Sequence, residues 1–131
     1  GDLALLRRAA SGCRAVIHCA ALHAPNLDFY SPADYERVNV QGTANVLLVA
    51  QEQRIGVVFS STTSLMNTIE VKQRSASETV VQLASVDYGT PRNIYGVTKK
   101  AAETFFLESD VSVAILRCSR FFVEDAYNTG A

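Results

Sequence analysis

The sequence has 131 residues, enough for one domain or part of one, and 48% apolar with 19% charged residues suits an ordinary folded core. Its net charge of −1 offers no basic surface for nucleic acid or an anionic membrane, and no apolar run approaches the ~18 residues that span a bilayer. The cysteines Cys13, Cys19 and Cys118 are odd in number and widely spaced, which favours reduced thiols over disulfides or a metal site. We therefore expect a cytoplasmic protein without nucleic-acid or membrane partners.

The first half of the sequence predicts a helix, a strand and a longer helix. Apolar residues at helical spacing favour a helix over residues 3–11, and a short β-branched run over 15–20 favours a buried parallel strand. After a loop, Ser31 provides the N-cap of a helix that continues to about Arg54. Gly42 interrupts this helix at a cost of ~1 kcal/mol, which indicates close packing or the close approach of a ligand.

The second half predicts two further strands and one helix. A buried strand over 55–59 ends in a cluster of hydroxyl residues at 60–64. Residues 65–89 show no sustained period, and a connection of this length in a compact domain is usually functional or mobile. A third helix is predicted over 90–109 and a third buried strand over 111–116.

This alternation of helices and buried strands predicts an α/β fold with a parallel sheet. Because right-handed crossovers bring the carboxyl ends of parallel strands to one edge, where such sheets bind ligands, the residues after each strand are candidates for a site. Three segments fall at that edge, namely 20–23, 60–64 and 118–120.

Tyr95 and Lys99 are four residues apart in the third predicted helix, so they lie on the same face. A lysine cation beside a phenol favours the phenolate, which lets a tyrosine donate and accept protons near neutral pH. The pair indicates proton-transfer or redox chemistry on a hydroxyl or carbonyl group. The spacing alone also allows a solvated pair on the helix surface.

Six short motifs, in order along the sequence, resemble the extended short-chain dehydrogenase/reductase family, the NAD-dependent epimerase/dehydratase group. They cover nearly the whole chain and are Gly1-Asp2-Leu3, Val16-Ile17-His18-Cys19-Ala20-Ala21, Asn39-Val40-Gln41-Gly42-Thr43-Ala44-Asn45, Phe59-Ser60-Ser61-Thr62, Tyr95-x-x-x-Lys99 and Leu116-Arg117. The resemblance implies a Rossmann-like parallel sheet with helices on both faces, and a partial NAD(P)-binding domain over residues 1–131.

The resemblance also implies roles for the residues of the reaction centre. Tyr95 is expected to be the general acid/base, and Lys99 is expected to hold the nicotinamide ribose and to favour the phenolate. Thr62 is expected to hydrogen-bond the reacting oxygen, with Ser61 and Thr63 as alternatives. Asn39 is expected to order the active-site helix and its waters.

For the cofactor, the resemblance implies NAD, with NADP as the alternative, and it implies no metal. The expected cofactor-binding residues are Asp2, Leu3, Cys19, Ala20, Ala21, His23, Asn39, Ser60, Tyr95, Lys99 and Ser119. Among these, Asp2 and Leu3 match the pair that meets the adenine. His23 lies in the loop under the pyrophosphate and ribose, where an ordinary loop histidine is an equal alternative. His18 lies within an apolar strand, which predicts a core histidine.

Three features typical of the family are absent from this sequence. The glycine-rich phosphate loop and the residue that selects NAD or NADP are expected upstream of Gly1, and the substrate-capping region is expected downstream of Ala131. Met66 and Asn67 stand where many relatives have Tyr-Gly. We therefore expect the chain by itself to bind cofactor poorly and to be inactive.

Together these features predict an NAD(P)-dependent enzyme that acts by reversible hydride transfer at a hydroxyl or carbonyl, with a nucleotide-sugar epimerase as the first interpretation. A carbonyl reductase or alcohol dehydrogenase of the same family is the near alternative. A dehydratase is disfavoured, because Thr63 and Ser64 supply no carboxylic acid after Thr62. A non-catalytic nucleotide-sensing protein is the rival from another class, although the retained tyrosine and lysine favour an enzyme. The expected partner is a small-molecule substrate, and a homodimer is left open.

Overall fold

The computed structural model describes residues 2–65, 91 and 93–118 of the chain. In chain order its elements are α1 (Leu3–Ala10), β1 (Ala15–His18), α2 (Pro32–Tyr35), a π-helical segment (Glu36–Gln41), α3 (Gly42–Gln53), β2 (Gly56–Thr62), α4 (Ile94–Leu107) and β3 (Val113–Cys118). Short 3-10 turns lie at Ala24–Asn26 and Thr63–Leu65. Residues 66–89 of the predicted long connection, Met66 and Asn67 among them, lie outside the described residues.

The three strands form a parallel sheet in the order β1-β2-β3. His18, Phe59 and Ile115 are register partners across it. The predicted α/β fold with a parallel sheet is therefore confirmed. The carboxyl ends of β2 and β3 also lie side by side, because Thr62 pairs with Cys118 at the last position of both strands.

The hydrophobic core lies between one face of this sheet and helices α3 and α4. Its buried members are Val46, Ala50, Val57, Phe59, Ala102 and Phe106. The rings of Phe59 and Phe106 are 5.2 Å apart between centroids, a separation at which tilted aromatic pairs attract each other. On the opposite face, Ile17 is 73% and Leu116 52% exposed. The core helices thus cover one face, and helices on the second face stay a prediction.

A continuous helical stretch links residues 32–53, as the sequence predicted. The Ser31 hydroxyl accepts from the backbone N–H of Asp34, whose carboxylate accepts from the Ser31 N–H, so the two residues form a capping box. Arg54 ends the helix in a left-handed conformation at φ 56°. The close packing expected at Gly42 is wrong for the described residues, because a Cβ added there would meet no atom of theirs within 4 Å.

The ends of β1 and β2 differ from the predictions. β1 stops at His18, so Cys19 and Ala20 belong to the following loop. β2 continues to Thr62, and the first three hydroxyl residues are therefore part of the strand instead of following it. The strand extends because these residues pair with Leu116, Arg117 and Cys118 of β3, a long-range pairing that local sequence does not encode.

The ends of α4 and β3 are also shifted. The helix begins at Ile94, not at the predicted Thr90, because the Asn93 side chain caps it by accepting from the Gly96 N–H at 3.0 Å. β3 covers Val113–Cys118, later than the predicted 111–116, in the register that β2 imposes.

The described residues were compared with the predictions for membrane-spanning segments, cysteines and metal sites. No helix among the described residues is long and apolar enough to cross a membrane. Cys13, Cys19 and Cys118 are free cysteines in the structure. In the described ranges there is also no group of three or more His, Cys, Asp or Glu side chains that could hold a metal ion.

Candidate active site

A cleft of about 860 Å³ opens at the carboxyl ends of β2 and β3. It is lined by residues of the loop after β1, the end of β2, the start of α4 and the end of β3, namely His23, Ala24, Pro25, Ser60, Ser61, Thr62, Thr63, Ser64, Tyr95 and Cys118. The three sequence segments expected at this edge therefore contribute to one cavity. Four predicted site residues meet in it: His23, Ser60, Thr62 and Tyr95.

Helix α4 presents Tyr95 to the cleft from its first turn. Only 6% of the tyrosine surface is exposed. The next residue, Gly96, is required by close packing, because a Cβ added there would lie 2.8 Å from Cβ of Pro91. No sequence pattern indicated that this glycine belongs to the site. Its missing side chain allows Pro91 to pack against the first turn of the helix.

Lys99 follows one turn later and is 3% exposed. Its ammonium group donates to the backbone oxygen of Ser60 and lies 4.4 Å from the centroid of the Phe59 ring. Burial lowers the pKa of Lys99 to about 8, while the nearby Glu103 carboxylate opposes this shift. The lysine is thus mostly charged at neutral pH, in a position where burial strengthens its electrostatic effect.

The Tyr95 hydroxyl faces the ring of His23. The tyrosine oxygen is 3.5 Å from His23 Nδ1, and the two ring centroids are 5.6 Å apart. The backbone of His23 is fixed from two sides, because its carbonyl accepts from the Tyr35 hydroxyl at 2.7 Å and its N–H donates to Asn26 Oδ1 at 2.9 Å. The structure therefore places this predicted cofactor-loop residue directly beside the tyrosine.

Asn39 joins the loop after β1 to α4. Its side chain is 1% exposed and lies within the π-helical segment, a type of helix irregularity that is frequent at functional sites. Its amide oxygen accepts from the Leu22 N–H at 2.7 Å, and its amide nitrogen donates to the Leu22 carbonyl and to the Thr98 hydroxyl, both at 3.0 Å. These contacts are what a residue that orders the active-site helix needs, and this role stays a prediction.

His18 is a buried core histidine, as predicted, with 6% of its surface exposed. Its Nε2 is 2.9 Å from the Thr43 hydroxyl, which donates its own hydrogen to the Asn39 carbonyl at 2.6 Å. The Thr43 oxygen can therefore only accept from His18, so we assign the ring proton to Nε2. Burial, helped by the Lys99 charge, lowers the pKa of His18 to about 4. The histidine is neutral at physiological pH.

Thr62 is the best placed of the three hydroxyl residues considered for contact with the reacting oxygen. Ser61 is engaged elsewhere, because its hydroxyl donates to the buried carboxylate of Glu103. Thr62 lines the cleft at 7% exposure, and its oxygen accepts from the Ser64 N–H at 3.1 Å. The Thr62 hydroxyl itself donates to Ser64 Oγ at 3.1 Å, so its hydrogen would have to leave this exposed serine to reach a ligand oxygen. Thr63 also lines the cleft but is exposed.

Glu103 links α4 to the sheet below the cleft and was not predicted from the sequence. Its carboxylate is fully buried and accepts from Arg117 Nη2 at 2.8 Å and from Arg117 Nε at 3.1 Å, in addition to Ser61. The signal was present in the sequence, since Glu103 follows Lys99 by one turn and Arg117 belongs to one of the six motifs. Its partners became identifiable only with the strand register.

The remaining predicted cofactor residues do not line the described part of the cleft. Asp2 is exposed and caps α1, where its carboxylate accepts from the Leu5 N–H at 3.0 Å. Leu3 begins that helix, and Cys19, Ala20 and Ala21 form the loop that leads from β1 towards His23. Ser119 lies outside the described residues. Cofactor contacts for these six residues stay predictions.

The parallel sheet with a helix-borne tyrosine and lysine at its carboxyl edge defines a Rossmann-like α/β domain. The chain belongs to the NAD dependent epimerase/dehydratase family, whose sequence pattern matches residues 2–129. The family resemblance seen in the sequence is thereby confirmed. No curated protein sequence matches the chain.

Several solved structures are similar to this chain. The enzyme WbmG of Bordetella bronchiseptica, solved with NAD and UDP, is 28% identical with a TM-score of 0.64, over 88% of this chain and 34% of its own. MoeE5, solved with UDP-glucuronic acid and NAD, is 27% identical with a TM-score of 0.66, over 89% and 39%. The dTDP-glucose 4,6-dehydratase DesIV of Streptomyces venezuelae is 25% identical with a TM-score of 0.69, over 89% and 35%. The chain thus spans 34–39% of the length of these three proteins.

Proposed function

We propose that the full-length protein is an NAD(P)-dependent oxidoreductase of the epimerase type, which acts on a hydroxyl or carbonyl group of a nucleotide sugar. The observation that carries this proposal is the position of the Tyr95 hydroxyl, which lines the cleft one helical turn from the buried Lys99 ammonium. Thr62, a second hydroxyl in the same cleft, supports it.

The residues of the cleft fit a nicotinamide cofactor. The ribose of a nicotinamide cofactor presents hydroxyl groups that can accept hydrogen bonds. The Lys99 ammonium group has three N–H donors, and in the described residues one of them donates to the Ser60 carbonyl. We propose that Lys99 and the hydroxyl residues at the end of β2 hold the ribose. The similar structures solved with NAD support this assignment, with NADP as the alternative. When bound, the cofactor would accept a hydride from the substrate carbon and return it.

The chain's own residues would move the proton and hold the reacting oxygen. Tyr95 takes the proton of the substrate hydroxyl in the oxidative direction and gives a proton back in the reverse direction. Thr62 donates to the same oxygen and stabilises its developing charge. Lys99 follows Tyr95 by one turn of α4 and therefore lies on the same face of the helix.

The lining of the cleft favours epimerisation or simple oxidoreduction over dehydration. Elimination of water needs an acid close to the leaving hydroxyl, and the described lining contains no aspartate or glutamate. The buried carboxylate of Glu103 is engaged by Arg117 and Ser61. A nucleotide sugar is proposed as substrate because WbmG was solved with UDP and MoeE5 with UDP-glucuronic acid.

Product analysis of the full-length protein tests this function. The protein is incubated with NAD or NADP and with UDP-glucose, UDP-glucuronic acid or dTDP-glucose, and the sugars are examined by NMR. We expect inversion of one sugar carbon without net consumption of the cofactor. Stoichiometric cofactor reduction or oxidation would instead identify the dehydrogenase or reductase alternative. Binding of these ligands without any conversion would contradict an enzymatic function and support the nucleotide-sensing alternative.

A further inference from the structure

Three buried residues connect strand β1 to the π-helical segment. His18 donates from Nε2 to the Thr43 hydroxyl at 2.9 Å, and this hydroxyl donates to the backbone carbonyl of Asn39 at 2.6 Å. His18 is 6% exposed, and Thr43 and Asn39 are each 1% exposed. The loss of a hydrogen bond between groups this deeply buried is costly, because water cannot replace the missing partner.

The Thr43 hydroxyl lies where the π-helical segment changes into α3. The segment ends at Gln41 and α3 begins at Gly42, one residue before the threonine. A threonine that donates to the carbonyl four residues earlier competes with the backbone bonds of a regular helix and often bends it. The hydroxyl has a single hydrogen, and the N–H of His18 donates to a lone pair of its oxygen. His18 therefore turns this hydrogen away from itself and towards the Asn39 carbonyl.

The side chain of Asn39 contacts both the loop after β1 and helix α4. Its amide oxygen accepts from the Leu22 N–H at 2.7 Å, and its amide nitrogen donates to the Leu22 carbonyl and to the Thr98 hydroxyl, both at 3.0 Å. Leu22 directly precedes His23, which lines the cleft, and Thr98 directly precedes Lys99. A shift of the Asn39 backbone would therefore disturb two sides of the candidate site.

We propose that His18 is a positioning residue of the candidate active site, which acts through Thr43 to hold Asn39 against the loop after β1 and against α4. The inference rests on the proposed function, because it takes the cleft as the place of the reaction. The role needs the N–H donor at Nε2 and not the basicity of the ring, since this nitrogen donates in both the neutral and the charged imidazole. A histidine with a packing role alone could be replaced by an apolar side chain without any effect on Asn39.

Hydrogen exchange of the full-length protein tests this connection without any substrate. NMR follows the amide proton of Leu22, which donates to Asn39, and that of Asn26, whose backbone bond lies in the same loop and does not involve Asn39. We expect exchange at Leu22 to be faster by about tenfold in His18→Leu and in Thr43→Val, with unchanged exchange at Asn26. Wild-type exchange at Leu22 in both variants would overturn the proposal, as would an equal acceleration at the two amides.

Two conservative variants show whether the hydrogen bonds themselves are responsible. His18→Gln keeps a nitrogen donor at the same number of bonds from Cα as Nε2, and Thr43→Ser keeps the hydroxyl. We expect exchange at Leu22 to return to the wild-type rate in both variants. Fast exchange in both of them would overturn the proposal, because the donor and the hydroxyl would then be present without effect.

Steady-state kinetics then separate positioning from a general loss of stability. The control is Val49→Ala on α3, which removes a buried apolar side chain and no hydrogen bond. For the nucleotide sugar that the wild type converts, we expect kcat to fall by about tenfold in His18→Leu and Thr43→Val and to recover in the conservative variants. Val49→Ala should lose free energy of unfolding in urea and keep its kcat.

The outcomes distinguish the positioning role from the proposed function. Unchanged kcat in His18→Leu and Thr43→Val, or an equal loss of kcat in Val49→Ala, would overturn the positioning role and leave the proposed function standing. If the wild type converts no nucleotide sugar, the proposed function fails, and exchange at Leu22 still decides whether His18 holds Asn39.

Discussion

At the scale of single residues, burial of the Lys99 ammonium group lowers its pKa and makes the folded protein less stable. Its pKa in the folded protein is about 8, below its usual 10.5, so the unfolded chain binds this proton more tightly than the folded protein does. The buried charge therefore lowers the free energy of unfolding by its full amount below about pH 8, and this loss disappears as the pH rises towards 10.5. The Ser60 carbonyl and the Phe59 ring offset part of it.

We therefore expect Lys99→Met to lose function without losing stability. An apolar side chain removes the buried charge, so the free energy of unfolding at pH 7 should stay the same or rise, while NAD affinity of the full-length protein should fall by about tenfold or more. Wild-type affinity should also decline as the pH rises through about 8, and Lys99→Arg should lose this pH dependence. Calorimetric titration and urea denaturation measure both quantities. The control is Lys100→Met on the same helix, and equal affinities of the Lys99→Met variant and this control would contradict the assignment.

His18 gives the structure a second pH dependence, on the acid side. Its pKa of about 4 in the folded protein lies below its usual 6.5. Protonation of His18 therefore does not reduce the free energy of unfolding above pH 6.5, and it reduces this free energy progressively as the pH falls towards 4. Full protonation would cost up to about 3 kcal/mol. We expect His18→Asn to flatten the stability profile between pH 6.5 and 4, as measured by urea denaturation at several pH values. An unchanged slope in the variant would show that other groups cause the acid loss.

At the scale of elements, α4 is held to the sheet by the buried carboxylate of Glu103. Arg117 on β3 and Ser61 on β2 both donate to it, so one side chain joins a helix to two neighbouring strands. The same helix carries Tyr95 and Lys99, and the same strand β2 carries Ser60 and Thr62. The contact therefore fixes the distance between the two groups of candidate catalytic residues.

Removal of Arg117 should be more damaging than simultaneous replacement of both charges. Arg117→Met leaves the Glu103 carboxylate buried without this cation, which should lower the free energy of unfolding by about 3–5 kcal/mol. The double variant Glu103→Leu and Arg117→Met also removes the buried carboxylate. We therefore expect it to recover part of the lost free energy of unfolding. A double-mutant cycle by chemical denaturation gives the coupling. Simple additivity of the two single effects would contradict a direct buried interaction.

The sequence predicted the order and type of the elements better than their ends. The helix from Pro32, the parallel strands and the core histidine followed from local pattern, since apolar period and capping residues act within a few positions. The extension of β2 through Thr62 could not be predicted in this way, because pairing with β3 decides it across more than 50 residues of chain. The π-helical segment around Asn39 likewise has no simple sequence signal.

The motif residues of the candidate site could be predicted from the sequence, but the contacts between them could not. Tyr95, Lys99 and Thr62 were identified from spacing and family resemblance, whereas the contact of His23 with Tyr95 depends on how a loop after β1 folds towards α4. The bond between Asn39 and Thr98 joins residues of different helices in the same way. Such tertiary contacts form between residues distant in sequence, so no local pattern encodes them.

At the scale of the whole molecule, the chain carries the carboxyl edge of a Rossmann-like parallel sheet, where the candidate site lies, but no glycine-rich phosphate loop in its sequence. We expect the 131-residue chain in isolation to bind NAD and NADP only weakly, because the helix N-terminus that normally holds the pyrophosphate is not encoded in it. Calorimetric titration of the isolated chain measures this affinity, with the full-length protein as the comparison. Micromolar binding by the isolated chain would contradict the expectation and reveal a second phosphate site.

The proposed function depends above all on Tyr95 as the group that transfers the proton in the reaction of the full-length protein. The most direct measurement compares single-turnover rates of nucleotide-sugar conversion in the wild type, in Tyr95→Phe and in the control Tyr30→Phe, whose ring is 46% exposed. We expect Tyr95→Phe to keep its affinity for NAD but to react more slowly by about 100-fold or more, whereas Tyr30→Phe should react at the wild-type rate. A Tyr95→Phe variant that converts the sugar as fast as the wild type would contradict this role.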